Sequence, residues 1–246
     1  MMQWPRRQDW PLMIALGILG VFFAVLIHGT IGRPSNATSL APSAQVHPLP
    51  AALETWHDPQ QQGDYFDQVK LTRVGYLIWS DFPVQVFVQP APESLPLVQQ
   101  KWPTAVAQAI QDWQAYFPLE ITTDPRPADI VISAIDPTQP SQGRIRSAET
   151  RYKLYVDDRN RLSHRCTVQV RANQTETYIA AAVRHEMGHA LGIWGHSPLV
   201  SDALYFAQVR TPATISARDM NTLKRVYQQP TRLGWPVLTS PDPQAP

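Results

Sequence analysis

An α+β domain is the fold class that this 246-residue sequence predicts, and two observations predict it. Short stretches of period-two hydrophobicity mix with a few runs of helical period, without the regular strand–helix alternation of a parallel α/β sheet. No glycine-rich strand–turn–helix signature marks a nucleotide-binding sheet. The single cysteine, Cys166, excludes a disulfide framework, so the chain must hold itself together through an ordinary core. Charge adds a functional exclusion. Lysines and arginines number 21 against 20 acids, which leaves no electrostatic footprint for nucleic acid.

The elements follow in order along the chain. Arg6 and Arg7 precede "PLMIALGILGVFFAVLI", and residues 12–31 reach about the 20 residues that a spanning helix requires. Residues 1–32 are therefore expected to be an N-terminal signal anchor, contacting the membrane through residues 12–31. The arginines would keep the N-terminus cytoplasmic and leave the rest of a single-pass chain extracytoplasmic, or secreted if the segment is cleaved. Residues 33–64 turn to Pro, Ser, Ala and Gln without an apolar period, and predict a linker. Asn36 and Asn173 sit in Asn-X-Thr triplets, which matter only where the chain is glycosylated.

The globular body is expected over residues 65–230. "PVQVFVQ" places Val84, Val86 and Val88 on one face of a strand. Pro103 is expected to open a helix whose stripe is Val106, Ile110, Trp113 and Phe117, with Pro118 stopping it. "ADIVIS", "YKLYV" and "RCTVQVR" predict three more strands, the last with Cys166, Val168 and Val170 on one face, which makes Cys166 a core thiol. A second helix should start at Thr175-Glu176 with a threonine cap. A third should start at Ser216, where Ser216 and Asp219 suit a capping box and Ile215 and Met220 a hydrophobic staple. Residues 231–246 are expected to be a Pro-rich tail.

The chemistry concentrates in "RHEMGHALGIWGHS". His185 and His189 are four residues apart, so on a helix their imidazoles leave one face a turn apart and can converge on one cation. Glu186 stands beside them, placed to reach a metal-bound water without entering the ligand shell. A catalytic zinc site needs a third protein ligand and one open position. Glu186 is the last glutamate in the chain, so a downstream glutamate cannot supply that ligand. Asp202, Asp219 and Asp242 remain, but Asp219 is needed at a helix cap and Asp242 lies in the tail. His196 is the better choice, because Gly192 ends the helix and lets the chain turn back beneath the metal.

"HEMGHALGIWGHS" resembles the zinc signature of the metzincins, especially matrixin-like metallopeptidases, in which HExxHxxGxx precedes a third histidine. "FPVQVFV", the Trp113-bearing helix and "ADIVI" match the strand, helix and strand before that signature, and "ISARDMNTLKRVY" matches the closing helix. The likeness spans about residues 75–229. It implies a catalytic domain with a small twisted mixed β-sheet, a long backing helix, an active-site helix and a C-terminal helix. It implies one Zn2+ on His185, His189 and His196, Glu186 as catalytic base, and a polypeptide substrate lying along an exposed strand edge. A specificity pocket would lie near residues 199–214.

Two departures stand out. Three residues, Ile193, Trp194 and Gly195, separate Gly192 from His196 where the family has two, and Gly195 is expected to absorb the extra residue as a bulge or tight turn. The family's turn methionine falls here on Leu204, which fills similar volume. Tyr205, next along, is expected to be a wall or core residue, with substrate contact the alternative. Cysteine-based latency is closed off, because Cys166 lies inside the domain. Two other functions stay open at this level: a zinc-holding but silent polypeptide-binding module, and a zinc amidase acting on cell-wall peptides.

Overall fold

A computed structural model describes residues 39–135 and 147–239. Over the described residues the fold is α+β, built on a five-stranded mixed sheet and four helices. A short strand β1 (Ser39–Leu40) and a helix α1 (Ala51–Thr55) lead into the sheet strand β2 (Val84–Val88) and the long helix α2 (Pro96–Gln114). Three strands follow: β3 (Leu119–Thr122), β4 (Ile130–Ile135) and β5 (Ala148–Val156). Then come β6 (Leu162–Arg171), α3 (Glu176–Leu191), α4 (Ala217–Tyr227) and a short β7 (Leu238–Thr239).

The strand order is β3-β2-β4-β6-β5. β3, β2, β4 and β6 are parallel, and β5 alone runs antiparallel, at one edge beside β6. Alternation decides the inner face. Val84, Val86, Ile130, Ile132, Cys166, Val168 and Val170 are all fully buried, so Cys166 is a core thiol as expected, and burial pushes its pKa up. Against this face pack α2, through Trp102, Val106, Ile110 and Trp113, and α3, through Ile179, Val183 and Met187. Two indoles pin α3 by its carbonyls, Trp113 Nε1 donating to Arg184 O at 2.8 Å and Trp79 Nε1 to Ala190 O at 2.9 Å. Arg184 also pairs with Asp112 of α2 at 2.5 Å, so α3 is tied to its neighbouring helix.

Several expectations need correction. Helix α2 begins at Pro96, not Pro103, and Pro103 lies inside it. The missing Pro103 N–H costs one helical bond, but Trp102 is buried and donates Nε1–H to Gln89 O at 3.0 Å, which favours carrying the helix back about two further turns. Strand β3 was not legible: "LEIT" is short and shows no clean alternation, and its parallel pairing with β2 makes it a strand. Strand β5 starts at Ala148 rather than Tyr152, because its polar first half is held by pairing along β6.

The expected linker and tail are also partly structured. β1 pairs with β7, and Gln45 and Thr231 exchange backbone bonds of 2.9 Å in both directions. Leu53 is fully buried, Leu233 nearly so, and His47 stacks on Trp235 at 4.2 Å. A few anchoring side chains on an aperiodic backbone hold these segments to the domain, which is why no hydrophobic period announced them. The membrane expectation is likewise corrected. Among the described residues no helix is long and apolar enough to cross a membrane. The anchor assigned to residues 1–32, with its span at 12–31, lies outside the described residues, as do Asn36 and Asp242. The single-pass, extracytoplasmic assignment is therefore withdrawn.

Candidate metal centre

The centre is built on the second half of α3 and the chain that turns back beneath it. Thr175 caps the helix by accepting from Tyr178 N–H at 3.4 Å, with Glu176 complementing the dipole in the first turn. At the other end Gly192 N–H donates to His189 O and Ile193 N–H to Gly188 O, each at 3.0 Å, the paired bonds of a Schellman ending. Gly192 has φ +134°, and a Cβ there would stand 2.7 Å from Leu77 O, so glycine is required twice over. Tyr227 of α4 donates to Leu191 O at 3.0 Å and fixes the helix end from outside.

The extra residue is taken up earlier than the sequence suggests. Trp194 N–H donates back to Gly192 O at 3.0 Å, a three-residue turn centred on Ile193. Gly195 has no positive φ. Its role is close approach: a Cβ would lie 2.1 Å from Gln68 O and 3.0 Å from Val69 Cα. The tightened turn and this backbone contact return His196 to the helix.

The result brings together the three histidines singled out in the sequence. One nitrogen each from His185, His189 and His196 lies within 4.8 Å of the others, and among the described residues theirs is the one such group of three. Three protein ligand atoms are thus close enough to bind a metal ion. The outer nitrogens of two are already committed. His185 Nδ1 lies 2.9 Å from Ala203 O and His189 Nδ1 2.6 Å from Ile193 O. A carbonyl only accepts, so each Nδ1 carries the proton and each Nε2 presents its lone pair to the cluster. Burial lowers the pKa of His185 to about 4 and that of His189 to about 3, with neighbouring imidazoles adding to the shift. Both rings are neutral, and fit to bind a cation, at neutral pH.

The aspartates considered as alternative ligands are engaged elsewhere. Asp202 is buried, accepts from Ser197 Oγ at 2.5 Å and pairs with Arg218 Nε at 3.0 Å. Asp219 completes the capping box of α4 with Ser216, at 3.0 and 2.8 Å. Its carboxylate also receives Tyr65 OH at 2.5 Å and Ala203 N–H at 2.9 Å. These two acids brace the turn whose Ala203 carbonyl holds His185, a role that the α4 cap alone did not reveal. Leu204 is fully buried in that turn, pressed on Gly188, where an added Cβ would meet Leu204 Cδ2 at 2.5 Å. Leucine thus packs between the turns that carry His185 and His189.

A cavity of about 630 Å3 opens over the histidines. Ala148, Glu149 and Thr150 of β5 form one bank, Trp194 and His196 another, and Tyr205, Phe206, Val209 and Pro212 a third. Tyr205 is half-buried and belongs to this wall. Glu186 is buried, lines the cavity, and accepts from Thr150 Oγ1 through Oε2 at 2.7 Å. Thr150 was missed from sequence. The signal was there in weak form, a hydroxyl on the inward side of β5, but the strand was expected to start two residues later. His164, in contrast, lies away from this group, buried against Trp79 with ring centroids 3.9 Å apart.

Comparison with known protein families finds none that the chain matches, and comparison with curated proteins finds no match.

Proposed function

We propose that this chain is a zinc-dependent endopeptidase of metzincin, matrixin-like type, with His185, His189 and His196 as ligands and Glu186 as general base. The observation that carries the proposal is the convergence of three imidazoles, two of them locked by carbonyls into the metal-binding tautomer, beside a buried carboxylate on the same helix. Three imidazole nitrogen donors with solvent access above them suit zinc, whose catalytic sites keep one position open. Bound there, zinc supplies an acidified water and polarises a carbonyl oxygen.

The remaining chemistry belongs to the chain. Glu186 accepts the proton of the attacking water and returns it to the departing amine. The cavity wall of Tyr205, Phe206, Val209 and Pro212 receives a substrate side chain. β5 is an edge strand whose first residues line that cavity, so an extended polypeptide adds to it by main-chain hydrogen bonds. The family's strand, helix and strand before the signature correspond to β2, α2 and β4, and its closing helix to α4, which supports the same reading.

The test uses the full chain, loaded with zinc, on a mixed protein substrate. Cleavage should stop with a chelator and with Glu186→Gln, and zinc content should fall in His196→Ala. Cleavage that persists in Glu186→Gln, or zinc content unchanged in His196→Ala, would refute the assignment of these roles.

A further inference from the structure

We propose that Thr150 is the positioning residue of Glu186, setting the rotation of its carboxylate over the metal centre. The inference rests on the reading of Glu186 as base, and it extends the machinery to a strand that supplies no metal ligand.

The argument starts from register. Thr150 pairs with Val168 across the β5–β6 ladder, between Ala148–Val170 and Tyr152–Cys166. Directly opposed residues share a face, and Val168, Val170 and Cys166 are all fully buried, so Thr150 points inward toward α3. Its neighbours on that side of the strand are Ala148, Tyr152 and Leu154. An inward threonine among them needs a polar partner. Glu186 supplies it: Thr150 Oγ1 lies 2.7 Å from Glu186 Oε2, with Glu186 O farther off at 3.0 Å.

Those two distances specify more than packing. Carboxylate and carbonyl oxygens both only accept, while a hydroxyl has one proton to give. The charge-assisted bond to the carboxylate is the shorter and stronger of the two. The proton therefore goes to the carboxylate tip, and because β5 holds the hydroxyl in place, that bond selects the orientation of the Glu186 carboxylate. Free rotation of a glutamate tip is broad about its last torsion, and a base must meet its proton within hydrogen-bond reach. Thr150 removes that freedom before substrate arrives. It does so from the strand along which substrate is proposed to lie, so substrate docking and base orientation share one element.

Thr150→Val keeps the shape and removes the hydroxyl, and Thr150→Ser keeps the hydroxyl. In the zinc-loaded full chain, Thr150→Val should lower kcat about tenfold or more, a fraction of what general base catalysis contributes. KM and zinc content should stay near wild type, and Thr150→Ser should recover most of kcat. A second readout needs no activity. In metal-free protein labelled at glutamate carboxyl carbons, the Glu186 NMR resonance, assigned by its absence in Glu186→Gln, should move in Thr150→Val and return in Thr150→Ser. An unmoved resonance, an unchanged kcat, or a kcat loss that tracks lost zinc or that serine does not restore would each overturn the inference. A wild-type chain without chelator-sensitive cleavage would instead sink the peptidase reading and take this inference with it. Activity abolished by Glu186→Gln but untouched by Thr150→Val would sink the inference alone.

Discussion

Gly195→Ala tests how the late histidine reaches the metal centre. A Cβ built on Gly195 would sit 2.1 Å from Gln68 O, 2.6 Å from Gln68 C and 3.0 Å from Val69 Cα. Ordinary C···O contacts begin near about 3.3 Å, so the methyl overlaps its nearest neighbour by about 1.2 Å. All three obstacles are backbone, and no rotamer change relieves them. Gln68 closes the turn of residues 66–68, and Lys70 N–H bonds Trp194 O at 3.0 Å, so the two strands of chain cannot separate without losing that bond as well. Overpacking of this kind costs about 1–3 kcal/mol. The displaced segment carries His196, the third member of the histidine cluster. The expected outcome is a drop in urea-unfolding free energy of that size in metal-free protein, with zinc affinity at least about tenfold weaker, comparable to losing a ligand's support. A competition titration against a chromophoric chelator measures the second quantity. Wild-type affinity and stability in Gly195→Ala would refute the close-approach account and return the extra residue to a mobile loop.

Other substitutions probe the supports of the site. Leu204→Ala should cost about 2–5 kcal/mol, as a fully buried leucine lost from beneath the helix, whereas Leu204→Met should cost under about 1.5 kcal/mol; denaturant melts decide. Asp219→Ala removes the acceptor shared by Tyr65 OH, Ser216 N–H and Ala203 N–H, and should destabilise by about 3 kcal/mol or more while weakening metal binding through the Ala203 turn. His164 is buried, its Nε2 has no hydrogen-bond partner among the described residues, and burial lowers its pKa to about 3. A depressed folded-state pKa means the unfolded chain binds the proton first, so stability is complete above about pH 6.5 and is lost as pH falls toward 3. Buried Asp129 and Asp219, whose pKa values are raised by burial, oppose that trend at its acidic end. His164→Leu removes one contribution, so the stability difference between variant and wild type should shift toward the variant by up to about 1.4 kcal/mol per pH unit below 6.5. A difference independent of pH would refute the buried neutral imidazole.

Much of the site was legible because its chemistry is local. His185, Glu186 and His189 share one helical turn, and Gly192 ends that helix by a rule that needs no knowledge of the rest of the chain. The capping box at Ser216 and Asp219 was equally local, and the strands with strict alternation appeared where expected. What escaped was set by contacts distant in sequence. Pro103 looked like a helix start until Trp102 found its place against Gln89, and β3 lacked any pattern until β2 paired with it. The 33–64 segment looked like a linker because its anchors, such as Leu53 and His47, are too sparse to form a period.

The sequence alone therefore determined the candidate ligand types, their spacing and the direction in which the chain must turn, since all three follow from residues within a dozen positions of one another. Only the tertiary structure decided how the extra residue is absorbed, which nitrogens face the cluster, and what holds Glu186. Those depend on Gln68 pressed against Gly195, on the Ala203 carbonyl over His185, and on Thr150 reaching across from β5. Each partner is brought in by packing from another element, and no local period in the chain encodes its arrival.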